Sequence, residues 1–299
     1  MQESKKSAPK RLRILFVINP RSGHGGEKNL KNLISQRSDS AGFEYQSLVM
    51  SGDDKDRISE TINQYKPDIV AAAGGDGTIN LMAGILANTG IPLAIIPQGS
   101  ANGMAKELRI PAKTESALEI LIKGKTQKID LIKINEKICI HLADVGLNAR
   151  VVKRFESDVK RGILTYAKYL FREMFLLKKY VFNIFYEGKT IRRKGVSMTF
   201  ANASRYGTGA VINPKGIIDD GKFELVIIKP FPRIKLLSIT WKMFMNKLHT
   251  SDYVEIISCV NARILSSRKT TLQVDGEVLG KVKEISVECM HKALLVVIP

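Results

Sequence analysis

Tryptophan occurs once in this chain of 299 residues and cysteine three times. Cys139, Cys259 and Cys289 sit in apolar, strand-like runs, with no CxxC spacing and no histidine cluster nearby. That excludes a disulfide framework or a cysteine zinc site and predicts reduced core thiols. His24, His141, His249 and His291 are scattered without metal-ligand spacing, which argues against zinc altogether. No apolar run approaches the roughly 20 residues that a membrane-crossing helix needs. The segment from Met1 to Arg13 is polar and basic and has no apolar stretch of the secretory-leader kind. Residues 1–11 are therefore expected to be a disordered basic tail, and the protein to be cytoplasmic.

Acidic residues are also scarce. Asp and Glu total 29 against 47 Lys and Arg, a formal net charge of +18. A surplus of this size predicts an anionic partner. No RNP-type or helix-turn-helix pattern accompanies it, so nucleic acid is not the expected one. The phosphate loop GxxxxGK[ST] and the dinucleotide loop GxGxxG are both missing.

What is present is an alternation. Residues 12–19, 43–50, 68–73 and 92–96 read as strands. Helical patterns at 27–38, 57–65, 79–86, 102–108 and 114–122 separate and follow them. Such a series predicts an open, mostly parallel sheet covered by helices on both faces, at residues 12–127. From about Lys128 strand-like runs dominate: 128–134, 137–143, 181–186, 195–201, 223–229, 254–260, 262–266, 271–274 and 293–298. Turn signals divide them, among them Asp219-Asp220-Gly221 and Asp275-Gly276. This predicts an antiparallel sandwich at 128–299, with helical insertions at 159–179 and 233–247.

Three strand-to-helix turns of the first domain are glycine-rich: Asn19-Pro20-Arg21-Ser22-Gly23, Gly74-Gly75-Asp76-Gly77-Thr78 and Gln98-Gly99-Ser100-Ala101-Asn102-Gly103. Glycine lets backbone N–H groups close on an anion, and a helix start favours negative charge. In an open α/β sheet these turns meet at the carboxyl edge, where ligands bind. Asp76 places a carboxylate in what is otherwise a phosphate-attracting pocket. It suits a ligand to a phosphate-bound magnesium ion or a base for an attacking hydroxyl.

NPRSG, GGDGT and PQGSAN in this order, followed by Asp219-Asp220-Gly221-Lys222-Phe223-Glu224-Leu225 and Gln273-Val274-Asp275-Gly276-Glu277, resemble the diacylglycerol kinase catalytic-domain family across nearly the whole chain. That family includes bacterial lipid kinases and the related sphingosine and ceramide kinases, and GGDGT is shared with NAD kinases. The resemblance implies an ATP-dependent lipid kinase that acts in lipid metabolism and phospholipid biosynthesis. The acceptor would be a hydroxyl of diacylglycerol, a sphingoid base or phosphatidylglycerol. It implies a nucleotide in a cleft between the two domains, bound by Asn19, Pro20, Ser22, Gly23, Gly74, Gly75, Asp76, Gly77, Thr78, Asn80, Gly99 and Ser100. Asp275 or Glu277 would accept the proton, with Asp76 also catalytic. Magnesium would be held by the Asp220 side chain and by backbone carbonyls of Ile217 and Lys222.

The chain departs from the family pattern in four places. Gly103 stands where a carboxylate is usual, and Leu48 falls on a nucleotide-contacting threonine. Gly52-Asp53-Asp54 replaces Gly-Asp-Ala, and Asn148 takes an acidic position. Two rival readings stand beside this one: a kinase of a soluble acceptor in the manner of NAD kinases, resting on the shared GGDGT, and a non-catalytic nucleotide- or lipid-binding homologue, supported by Gly103 and Leu48. Segments 159–180 and 233–247 mix cations with aromatic and aliphatic residues, which predicts peripheral contact with an anionic membrane. Oligomeric state is left open, a homodimer among the options.

Overall fold

The computed structural model describes residues 11–22, 27–52, 54–147, 149, 178–206 and 209–299. Gly23, Asp53, Asn148 and most of the 159–179 insertion lie outside the described residues.

The first domain is built on four parallel strands, β1 (Arg13–Ile18), β2 (Glu44–Val49), β3 (Ile69–Gly74) and β4 (Leu93–Pro97), in the order β2-β1-β3-β4. β1, β3 and β4 are almost continuously apolar because both of their faces are buried. Alternate residues feed two cores. Leu15, Val17, Val70, Ala72, Leu93 and Ile95 pack under α2 (Lys55–Tyr65), α3 (Asp76–Leu86) and α4 (Gly103–Glu107). Ile14, Phe16, Ala71, Ala73, Ala94 and Ile96 pack under α1 (Glu27–Ala41) and α5 (Thr114–Lys123). This is the architecture expected from the alternation. Leu48 joins the first core and is buried, so it faces the interior of the domain.

The second domain is an antiparallel sandwich. Its strands are β5 (Lys125–Ile134), β6 (Lys137–Cys139), β7 (Leu142–Gly146), β8 (Tyr180–Tyr186), β9 (Lys189–Gly195), β10 (Ser197–Ala201), β11 (Phe223–Ile228), β12 (Val254–Cys259), β13 (Asn261–Val274) and β14 (Glu277–Ile298). β13 belongs to both layers. Its first half pairs with β8, its last three residues pair with β7, and a register shift separates the two at Leu265/Thr270. The layers enclose Ile132, Val145, Phe182, Phe200, Phe223, Ile264 and Ile285. The three thiols are buried there, and burial pushes Cys259 and Cys289 up to about 12, which suits inert core residues.

Several local expectations are corrected. Residues 137–143 are not one strand, because the N–H groups of Ile140, His141 and Leu142 turn to the Asp275 carboxylate. The runs at 262–266 and 271–274 are one bulged strand. β9 went unread because Lys-Thr-Ile-Arg-Arg-Lys-Gly lacks apolar alternation; among the described residues it pairs with β8 alone, at a sheet edge where charge is tolerated. The second insertion is a 3-10 turn at Arg233–Lys235, then α6 (Leu236–Phe244). β14 runs for 22 residues and carries the chain back to the first domain. Its end pairs in parallel with β4 at Val296, and Ala293, Leu294 and Val296 enter the first core.

Candidate functional site

The turns after β1, β3 and β4 come together. A Cβ placed on Gly75 would lie 3.3 Å from Gly99 Cα and 4.0 Å from Ser22 Oγ, and one on Gly99 would lie 2.6 Å from Gly75 Cα. Only glycine at both positions allows two backbones to approach this closely. The cluster is fastened by hydrogen bonds. Asn19 Nδ2 donates to Thr78 Oγ1 at 2.9 Å, and the Gln98 amide donates to the Gly74 carbonyl at 2.9 Å. Asn102 closes the third turn on itself, with Oδ1 accepting from Gly99 N at 2.8 Å and Nδ2 donating to Gly99 O at 2.7 Å.

Gly75 is the N-cap of α3, so Asp76 and Gly77 stand in its first turn. Their N–H groups have no partner within a helix and carry its partial positive charge. Asp76 Oδ1 accepts from Met104 N at 3.3 Å, which ties α3 to the start of α4. Gly103 occupies that start and is buried, so no side chain at 103 reaches the rim. Ser100 is exposed at the rim, and Pro20 is exposed in the first turn. Asn19, Ser22, Gly75, Asp76, Thr78 and Gly99 are thus brought into one place.

Asn80, two residues beyond Thr78 on α3, reaches the second domain. With its amide oriented to satisfy its neighbours, Nδ2 donates to Asp275 Oδ2 at 2.7 Å and to the Ile138 carbonyl at 3.2 Å. Asp275 and Gly276 have φ of 46° and 90°, the positive values that a two-residue type I′ hairpin requires. The Asp275 carboxylate also accepts from the amides of Ile140 (2.9 Å), His141 (3.0 Å) and Leu142 (3.0 Å), and from the Cys139 thiol at 3.4 Å. Burial pushes this carboxyl up, against the opposing pull of His141 and of the Ile140 and Leu142 amides. Glu277, two residues on, is exposed at the start of β14. The hairpin therefore carries one carboxylate that clasps the domains and one that is open to solvent.

Residues 217–222 form a separate turn. Asp220 Oδ1 accepts from Lys222 N at 3.0 Å. No group of three His, Cys, Asp or Glu side chains is placed to hold a metal ion among the described residues. Any cation in this turn would be held by the Asp220 carboxylate with loop carbonyls, a hard-oxygen set that fits magnesium or calcium. Asp130, wholly buried, props the turn: it accepts from Gly221 N at 2.6 Å and Lys292 N at 2.6 Å, with His291 Nδ1 at 2.9 Å.

Asp130 and Asp144 were missed by motif reading. Asp144 is wholly buried and accepts from Thr199 Oγ1 (2.5 Å), Tyr206 OH (2.8 Å) and Gln273 Nε2 (2.5 Å). Gln273 Oε1 in turn accepts from Gly276 N at 2.8 Å, so this network reaches the hairpin. The available signal was a lone acid inside an apolar strand, Ile129-Asp130-Leu131 and Ala143-Asp144-Val145.

Parallel sheet, glycine rim and clasped sandwich define a class, and comparison with known proteins gives it a family. Residues 13–134 match the diacylglycerol kinase catalytic domain, and residues 142–298 match the YegS C-terminal NAD kinase beta sandwich-like domain. The chain belongs to the diacylglycerol kinase catalytic-domain family, a family of lipid kinases, and the coarse activity that follows is that of a phosphotransferase. Among its relatives is a "Diacylglycerol kinase" of Staphylococcus saprophyticus, 27% identical over 91% of this chain and 90% of the relative. A "Probable lipid kinase YegS-like" of Pectobacterium atrosepticum is 31% identical over 72% of this chain and 73% of its own length. The fold matches the crystal structure of a diacylglycerol kinase from Bacillus anthracis with a TM-score of 0.75 at 17% identity, over 98% of each chain.

Proposed function

We propose that this protein transfers the γ-phosphoryl group of ATP to a hydroxyl of a lipid such as diacylglycerol, a sphingoid base or phosphatidylglycerol. One observation carries the reading: three glycine-rich turns from three strands share a single rim at the start of α3. Backbone N–H groups there favour a triphosphate. Asn19 and Asn102 hold the rim in shape through Thr78 and Gly99. The relatives' names support a lipid acceptor over a soluble one.

In this mechanism Ser22, Ser100 and the amides of the rim orient the phosphates. Glu277 takes the proton from the attacking hydroxyl, because its carboxylate is exposed whereas that of Asp275 is engaged by backbone amides and Asn80. Asp76 serves at the positive end of α3. A magnesium ion bound at the rim would supply charge neutralisation at the phosphates, and Asp76 is the carboxylate there suited to hold it, whereas the separate Asp220 turn would hold an ion of its own. Catalysis of this kind is chiefly positioning and electrostatics.

The reading is tested by mass spectrometry of a total lipid extract before and after incubation with the protein, ATP and magnesium. A lipid gaining one phosphate is the expected result. Phosphorylation of NAD in a parallel reaction, with the lipids unchanged, would assign the chain to a soluble acceptor.

A further inference from the structure

Eight large apolar side chains stand exposed among the described residues, and four of them, Ile234, Trp241, Phe244 and Met245, come from one segment. They are 83%, 65%, 50% and 46% exposed. The segment is the 3-10 turn and α6, residues 233–247, Arg-Ile-Lys-Leu-Leu-Ser-Ile-Thr-Trp-Lys-Met-Phe-Met-Asn-Lys. Its inner face is accounted for. Ile239 is buried, and Met243 packs one turn later against the core formed by Leu142, Ala201, Ile212, Val226 and Leu248. At about 100° per residue, positions 241, 244 and 245 lie roughly opposite Ile239. A helix apolar on two opposite faces is normally covered on both. Here one face stands open, and its tip holds the chain's single tryptophan.

Charge decides what covers it. Residues 233–247 contain four cations, Arg233, Lys235, Lys242 and Lys247, and no acidic residue. A second copy docking face to face would set four positive charges against four. An anionic lipid surface meets both features, since cations attract its headgroups while apolar tips enter the acyl boundary. Tryptophan is suited to that boundary because its ring has an apolar body and a polar N–H.

We propose that α6 with its preceding turn is the element by which this protein docks on an anionic bilayer. The placement serves the hairpin. Ile239 of α6 shares a buried core with Leu142, whose carbonyl accepts from Asp275 N at 2.9 Å, and Tyr206, packed against that core, donates to Asp144. Docking through α6 brings lipid to the side of the sandwich that carries residues 275–277. This deepens and rests on the lipid-kinase reading, because only a membrane-borne acceptor gives the placement a purpose.

Trp241 makes the test direct. The full-length protein, without nucleotide, is mixed with phosphatidylserine/phosphatidylcholine vesicles, whose headgroups offer no free hydroxyl acceptor. The expected result is a blue shift of tryptophan emission at roughly physiological ionic strength, absent with pure phosphatidylcholine. Phe244→Asp combined with Met245→Asp should keep the melting temperature and weaken co-sedimentation by about tenfold or more. Lys235→Glu with Lys242→Glu should abolish the preference for anionic vesicles. No shift with anionic vesicles, equal binding to neutral ones, or undiminished binding by the Phe244/Met245 variant would overturn the proposal. So would a shift that grows with protein concentration in the absence of lipid, which would assign the face to a second copy. Phosphorylation of lipid in detergent micles separates the two readings. Micellar turnover without vesicle binding removes the docking surface alone, and vesicle binding without turnover in either form removes the kinase alone.

Discussion

Asp275 and Glu277 flank one glycine and have opposite surroundings. Removing the Asp275 carboxylate strands the amides of Ile140, His141 and Leu142 and releases Asn80. Asp275→Ala should therefore cost on the order of 3–5 kcal/mol of unfolding free energy, read by chemical denaturation. Glu277→Gln should leave stability within about 0.5 kcal/mol while turnover falls by a factor of roughly 10² or more. The upward push on Asp275 has a sign. The folded state holds that proton more tightly than the unfolded chain, so this stabilisation is complete below the ordinary carboxylate value of 3.8 and is lost as pH rises through the raised one. Asp76→Asn should retain the fold and reduce turnover by orders of magnitude, measured as labelled phosphate transferred per enzyme. At this scale the motifs named most of the rim. They did not separate the two hairpin carboxylates, because Asp-Gly reads alike whether its aspartate clasps a neighbour or faces solvent. Nor did they show Asn80 bonded across the domains, since its partners, Ile138 and Asp275, are distant in sequence.

At the level of elements, the alternation of strand and helix was legible because parallel strands buried on both faces stay apolar from end to end. β9 and the first eight residues of β14 were not, because their residues are held by ladder pairing more than by burial: residues 277–284 of β14 are exposed or only half-buried. The return of β14 to β4 is a long-range pairing with no local signature. It carries a prediction. Deleting residues 293–299 removes Ala293, Leu294, Val296 and Val297 from the two cores of the first domain, although they lie at the far end of the sequence. Each large apolar loss in such a core costs about 2–5 kcal/mol. The truncated chain should lose its cooperative thermal transition, and its first domain should become sensitive to limited proteolysis.

The molecule as a whole places a glycine-rich rim on one domain and an acidic hairpin on the other, with Asn80 and Asp275 as one joint between them. The family relationship and the rim together make it a kinase of the lipid class, and the surplus of cations suits a surface of anionic lipid. The central claim is that the turns at 19–22, 74–78 and 98–102 grip one triphosphate. Hydrogen exchange at amide resolution, with and without ATP and magnesium, tests it most directly. The account predicts that amides in all three turns slow together on addition of nucleotide, with Asp76 and Gly77 among them. Protection confined to a single turn, or appearing only at sites away from the start of α3, would contradict it.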